Sequence, residues 1–195
     1  FSLKAPSLLA LDKERAEGNL ETIYGIARVP CDTHMRERLD PVSPKSLRPV
    51  FQSIFRQLQR GKALEQMAFL EGHYLLALDG TGYFSSKTLH CASCLHQVHR
   101  NGSITYAHQM LGAAIVHPAC REVLPLMPEP IVNQDGTDKN DCERTAAKRF
   151  IAKLRQDHPH LKLIVTEDSL SSNAPHIEVL HDHDLHYILG VKEGD

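Results

Sequence analysis

The sequence predicts an α/β fold in which a mixed β-sheet follows a helical N-terminal region. Over roughly the first 60 residues, apolar side chains recur every three or four positions, as on one face of a helix. From about residue 70 they form short continuous runs between turn residues, which is typical of strands. One amphipathic helix interrupts these runs, so we expect helices to pack against a sheet.

Composition limits the classes of protein that the chain can represent. It has 195 residues, of which 42% are hydrophobic and 24% are charged, as in a soluble globular protein of one or two domains. No apolar run approaches the roughly 18–20 residues of a membrane span, so we expect no membrane partner. Five unevenly spaced cysteines favour a reducing cytosol over a disulfide framework. Because the chain starts at Phe1 and stops just after an apparent strand, we expect it to be cut from a longer protein.

The helical region is predicted to cover residues 1–66, as a candidate for DNA binding or dimerisation. The segment NLETIYGIARV has apolar residues at helical spacing, and three prolines then divide the chain into short helices. An amphipathic helix follows, with a stop at Gly61, and its apolar stripe comprises Leu47, Val50, Phe51, Ile54, Phe55 and Leu58.

Basic residues are concentrated in this region. Seven lysines and arginines lie between residues 34 and 62, against two acidic residues. Such a cluster can attract nucleic acid, although a solvated helical face is the better explanation of the cluster taken alone. We identify Arg56, Arg60 and Lys62 as candidate DNA contacts.

The second predicted domain, residues 67–195, has the element order β-β-β-α-β-α-β. Its first strand, HYLLALD, ends on Asp79, and a second covers residues 103–117 with a bend at Gly112. Three prolines make the third, at residues 123–132, an edge or irregular strand. A helix capped by Asn140, with Glu143 in a capping-box position, precedes the strand LKLIVTED. A short helix and a final strand complete the order.

Two of these strands deliver a carboxylate at their C-terminal ends, namely Asp79 and Asp168. Each aspartate alone is ordinarily a turn former or a helix cap. If the strands are neighbours, however, the carboxylates converge and offer the hard oxygen ligands that Mg²⁺ or Mn²⁺ prefers. Two such ions support in-line phosphoryl transfer. This arrangement is typical of an RNase H-like sheet, whereas Glu167 faces the opposite side of its strand.

Four segments, LLALDGTGYFSS, YAHQMLGAAIVHP, NDCERTAAKRF and LIVTEDSLSSNAPHI, resemble the catalytic region of IS4-like DDE transposases of bacterial insertion sequences. The upstream segments VPCDTHMRERLDPVSP and FRQLQRGKALE resemble the helical region of the same proteins. The resemblance extends from about residue 19 to the end. It implies an incomplete RNase H-like sheet in which Asp79 and Asp168 are the first two metal-binding acids.

The resemblance also implies a function. It is Mg²⁺-dependent (or Mn²⁺-dependent) cleavage of double-stranded DNA at transposon ends, followed by strand transfer into target DNA, in a homo-oligomer in the bacterial cytoplasm at the nucleoid. In this family the third acid is a glutamate in a later Tyr-Arg-Glu-Lys type motif, which the sequence lacks. We therefore expect the chain to be inactive alone, with Glu178 and Glu193 as weak substitutes. The alternatives are another RNase H-like nuclease and a catalytically inactive DNA-binding remnant.

A cluster of cysteines and histidines lies in a predicted hairpin extension at about residues 87–108. A Cys-x-x-Cys pair followed by histidines is a candidate for a structural zinc site. The ligand set that we predict is Cys91, Cys94, His99 and His108. The alternative is that these are reduced thiols and solvated histidines. The segment HDHDLH near the end is better explained as an ordinary helix-to-strand turn.

Overall fold

The computed structural model describes residues 7–132 and 143–191. Its internal contacts divide the chain into two compact units, Phe1–Pro49 and Val50–Asp195. This division comes earlier in the chain than the predicted boundary after residue 66, which stays a prediction about functional regions. Within the described residues, no helix combines the length and the apolar character needed to cross a bilayer.

The first unit contains three short helices. They are α1 (Leu8–Ala16), α2 (Asn19–Tyr24) and α3 (Asp32–Leu39), and α1 contacts the other two. The predicted helix after residue 19 is confirmed but is shorter than its apolar pattern, because Gly25 adopts a left-handed conformation with φ 67° and ends it. Leu20 is the buried residue of α2.

Helix α4 (Arg48–Arg60) is the predicted amphipathic helix, and it ends immediately before Gly61 as expected. Phe55 is buried, and its ring lies 4.1 Å from the imidazole ring of His158. The amide of Gln52 donates a hydrogen bond of 2.7 Å to the carboxylate of Asp157. These contacts attach α4 to the far end of the helix that covers the sheet.

The second unit is built on a seven-stranded mixed sheet. Its elements are β1 (Tyr74–Ser86), β2 (Leu95–Val98), β3 (Ile104–Val116), β4 (Leu124–Pro125), β5 (Glu129–Ile131), α5 (Glu143–Asp157), β6 (Leu163–Glu167), α6 (Ala174–Asp182) and β7 (His186–Leu189). The strand order is β2-β3-β1-β6-β7, and β4 and β5 also pair with β3. β1 and β3 are antiparallel, whereas β6 is parallel to β1 and β7 to β6.

The predicted element order is confirmed with two additions. The proline-rich third strand is split into β4 and β5, as its prolines suggested, and the hairpin extension contributes the short strand β2. The prediction that the first strand ends on Asp79 is wrong. β1 continues to Ser86, because Gly80–Ser86 pairs with β3 through a register shift between Gly82 and Phe84. The residues Thr-Gly-Tyr-Phe, which we took for a turn, include three that favour strands.

The hydrophobic core lies between the sheet and its helices. Leu76 of β1, Ile115 of β3 and Val165 of β6 have no exposed surface. The predicted stripe of α5 is confirmed within the described residues, since Ala146, Ala147, Phe150, Ile151 and Leu154 are buried. Asn140 and Cys142 lie outside the described residues.

An ion cluster links α5 to the edge of the sheet. Glu129 of β5 is 6% exposed, and its carboxylate accepts hydrogen bonds from Arg149 Nε at 2.9 Å and from Lys153 Nζ at 2.5 Å. Arg149 also donates to the carbonyl of Pro130. A buried carboxylate is tolerated only when it is paired in this way.

Candidate acidic site and Cys/His cluster

The two predicted aspartates lie two residues beyond the segment in which β1 pairs with β6. These parallel strands pair from Tyr74 opposite Leu163 to Ala77 opposite Thr166. Continuing this register by two residues sets Asp79 opposite Asp168. Both residues are exposed, so their carboxylates are open to solvent and to a ligand.

Local structure fixes each aspartate differently. Asp79 lies within β1, opposite Gly112 of β3, so its backbone belongs to the ladder. Asp168 directly follows β6 and caps a 3-10 turn (Ser169–Ser171), where its Oδ1 accepts the backbone N–H of Leu170 at 3.0 Å. The cap interpretation of Asp168 is therefore correct for one oxygen, which leaves the other free of that bond.

A third carboxylate, which the sequence analysis treated only as a capping residue, lies near this pair. Glu143 is the first residue of α5, and its carboxyl group lies against Gly80 of β1. Desolvation raises the pKa of Glu143, and the negative charges of Asp168, Asp79 and Glu167 raise it further, in that order. Glu143 is therefore close enough to both predicted aspartates for their charges to act on it.

The neighbouring Glu167 has a different role. Its side chain is 4% exposed, and its Oε2 is hydrogen-bonded to Nε2 of His176 at 2.5 Å. His176 belongs to α6 and is also buried. Asn173 caps α6 through the backbone N–H of His176, at 3.2 Å. This contact attaches α6 to the end of β6, next to Asp168. The burial of Glu167 and the exposure of Asp168 agree with the prediction that the two side chains face opposite sides of the strand.

The structure gives no support to the two acids that the sequence analysis named as weak substitutes for the third ligand. Glu178 lies on the exposed side of α6. Glu193 falls outside the described residues. The sequence does not predict that Glu143 lies close to Gly80. It shows only that an acidic residue begins the helix that follows the first strands of the sheet.

The predicted Cys/His set is brought together in part. Cys91 Sγ, Cys94 Sγ and His108 Nε2 lie within 4.8 Å of one another. Cys94 is buried, which raises the pKa of its thiol, while Cys91 is exposed. His99 does not join them, because its Nε2 is 2.7 Å from the hydroxyl of Thr105. Among the described residues, this is the group whose ligand atoms are close enough for a shared metal ion; the acidic carboxylates are more widely spaced.

The candidate DNA contacts are all exposed. Arg56 and Arg60 lie on α4, and Arg56 Nε donates to the carbonyl of Gln52 at 3.2 Å. Lys62 follows the helix in a left-handed conformation with φ 59°. Their exposure is compatible with a solvated helical face and with contacts to phosphates alike.

Comparisons with known proteins find only a distant structural similarity. No protein-family profile and no curated protein matches it. A cryo-EM structure of the piggyBac transposase synaptic complex with hairpin DNA is similar, at a TM-score of 0.39 and 15% sequence identity. The match covers 77% of this chain and 31% of that chain, so this chain spans less than a third of that protein's length. No family follows from a similarity this distant.

Proposed function

We propose that the second unit is the RNase H-like core of a DDE-type transposase, with Asp79 and Asp168 as metal-binding residues. The observation that carries this proposal is the parallel register of β1 and β6, which sets the two aspartates opposite each other. The finer relation to IS4-like enzymes rests on the resemblance of the four sequence segments described above.

The strand order supports the same conclusion. The first long strand lies in the middle of the sheet, between its antiparallel partner β3 and the parallel strand β6 that follows α5. The proline-rich strands occupy the far edge of β3, and β7 occupies the opposite side. This is the order that an RNase H-like sheet requires, with its acids on the first strand and on the first strand after the helix.

The chemistry of these residues suits a divalent cation, although their carboxylates are more widely spaced than the donor atoms of the Cys/His cluster. Carboxylate oxygens are the ligands that Mg²⁺ and Mn²⁺ prefer, and the negative charges of both aspartates add to the desolvation that raises the pKa of Glu143. Such ions, when bound, activate the attacking oxygen and stabilise the leaving oxygen in phosphoryl transfer. We assign Glu143 as a third acid of this site, beside the two aspartates.

The protein side chains then have distinct tasks. Asp79 and Asp168 hold the cations at the exposed edge where a DNA phosphate can approach. Glu143 adds a carboxylate from α5, and the buried Glu167–His176 pair keeps the end of β6 in place. The exposed cations Arg56, Arg60 and Lys62 are proposed to contact the backbone of double-stranded DNA, either transposon ends or target.

The test is divalent-cation binding by the purified chain. Titration calorimetry with Mn²⁺ should show binding that Asp79→Asn and Asp168→Asn each weaken by roughly tenfold or more. Asp182→Asn, an exposed aspartate at the end of α6, is the matched control and should bind as the wild type does. Absence of Mn²⁺ binding in the wild type, or equal affinity in all four proteins, would contradict the proposal.

A DNA-binding measurement distinguishes the proposed function from a catalytically inactive DNA-binding remnant. The proposed function predicts that Mn²⁺ strengthens binding of a double-stranded oligonucleotide and that Asp79→Asn abolishes this increase. DNA binding that is indifferent to Mn²⁺ and to Asp79→Asn would instead support a catalytically inactive DNA-binding remnant.

A further inference from the structure

The Cys/His cluster has the dimensions of a tetrahedral metal site. The sulfur atoms of Cys91 and Cys94 are 3.8 Å apart. Nε2 of His108 lies 3.4 Å from the first sulfur and 3.3 Å from the second. Around a tetrahedral zinc ion, Zn–S bonds of about 2.3 Å and Zn–N bonds of about 2.0–2.1 Å separate two sulfurs by about 3.8 Å and a sulfur and a nitrogen by about 3.5 Å.

These distances are not those of a disulfide. The two sulfurs would be about 2.05 Å apart in a disulfide, and both cysteines are free. The three donor atoms form a nearly equilateral triangle, which is one face of a coordination tetrahedron.

Backbone structure preorganises the three ligands. A tight turn, closed by a 3.2 Å hydrogen bond from the N–H of Cys94 to the carbonyl of Cys91, brings the cysteines together. The N–H of Cys91 also donates a hydrogen bond to Cys94 Sγ at 3.3 Å, which fixes the position of that sulfur. The register of β2 with β3 pairs Leu95 with Ala107, so its continuation sets Cys94 opposite His108.

Aromatic side chains hold the imidazole in position. The ring of Tyr83 stacks on the ring of His108 at a centroid distance of 5.9 Å and an angle of 15°. Phe84, which is opposite His108 in the β1–β3 ladder, contacts the same ring at 5.6 Å. Ligand histidines are commonly oriented by such surrounding contacts, which here come from β1.

We propose that Cys91, Cys94 and His108 bind one zinc ion and fill three of its four coordination positions. The ion is structural: it fastens the connection between β1 and β2 to the middle of β3. Soft thiolates with an imidazole select zinc over the hard cations expected at Asp79 and Asp168. The inference concerns different residues and a different metal from the proposed function, so either can fail without the other.

The test measures zinc in the full chain purified under reducing conditions and without chelator. Elemental analysis should find one zinc ion per chain, with most of it lost in Cys91→Ser, Cys94→Ser and His108→Ala. His99→Ala is the matched control: His99 lies in the same hairpin but is bonded to Thr105, so this variant should keep its zinc.

A spectroscopic readout guards against variants that merely unfold. Replacement of zinc by Co²⁺ should give the intense visible absorption of a tetrahedral thiolate site in the wild type and in His99→Ala. Cys91→Ser, at an exposed position, should remain folded by circular dichroism while losing that absorption. Zinc-free protein that fails to bind added Zn²⁺ or Co²⁺ would overturn the proposal, and so would equal loss of metal in His99→Ala and His108→Ala.

Discussion

Replacing Gly80 by alanine should displace Glu143 from the acidic site without unfolding the protein. A Cβ atom at this position would overlap the carboxyl group of Glu143 and would lie 2.8 Å from its Cγ. Ordinary separation between carbon atoms is about 3.5–4.0 Å, so the glutamate must retreat by roughly 1–2 Å. The obstacle is the end of a flexible side chain, and the chain can therefore accommodate the change.

The expected stability change is small because two effects offset each other. Gly80 lies in β1 without a left-handed conformation, so alanine reduces the entropy of the unfolded chain and stabilises the fold by about 0.4–1 kcal/mol. Moving Glu143 away from a favoured rotamer costs about 0.5–1.5 kcal/mol. We therefore expect the free energy of unfolding to change by less than about 1 kcal/mol, while Mn²⁺ affinity falls roughly tenfold.

The assay pairs urea denaturation with Mn²⁺ calorimetry, and Gly82→Ala is the matched control. Gly82 belongs to the same strand, but a Cβ there would meet only Gln109 Cγ at 3.9 Å, an ordinary contact. Gly80→Ala should weaken Mn²⁺ binding and Gly82→Ala should not. If both variants bind Mn²⁺ like the wild type, Glu143 is not part of the cation site and that reasoning fails.

Three further predictions concern stability. Glu129→Ala should lower the free energy of unfolding, measured by urea denaturation, by about 2–3 kcal/mol, because it removes the acceptor of Arg149 and Lys153, which both remain partly solvated. Glu122→Ala, at an exposed position, should change this free energy little. Leu76→Ala should lower the free energy of unfolding by about 2–5 kcal/mol, whereas Val98→Ala, at a site 65% exposed, should lower it by well under 1 kcal/mol. Equal decreases in the two variants would refute the packing described for Leu76. Glu143→Gln in chelator should be more stable than the wild type at pH 7, by at most about 1 kcal/mol. The pKa of Glu143 is raised in the folded state, so its ionisation destabilises the fold only as pH rises. The difference in stability between the two proteins should therefore vanish as pH falls below the ordinary carboxyl range. A difference that does not depend on pH would contradict the assignment of Glu143 to the acidic site.

Sequence reasoning predicted the elements whose pattern depends on local burial. The stripe of α5 and the apolar run of β1 are visible because each buries one continuous surface, and both were found where expected. The end of β1 was missed, since Gly80 and Gly82 resemble a turn when read locally. Only the long pairing with β3, which forms between segments distant in the chain, keeps those residues extended.

In the candidate sites too, residues marked by their local sequence could be predicted, whereas those brought close by tertiary packing could not. Asp79 and Asp168 could be selected because each follows an apolar strand. Glu143 could not, because its proximity to Gly80 depends on how α5 is laid over the sheet. In the Cys/His cluster, the predicted ligand set contained both His99 and His108, and the register of β2 with β3 sets only His108 opposite the cysteines.

The far half of β1 leaves one row of backbone amides and carbonyls open. β6 accompanies β1 only as far as Ala77, so beyond that point no described strand occupies this edge. Such an edge is a template onto which a strand of another molecule can add, and proteins commonly protect it with an irregularity. The register shift between Gly82 and Phe84 interrupts this edge at its middle. The same irregularity that sets Phe84 opposite His108 therefore also breaks the regular edge that such an addition would need.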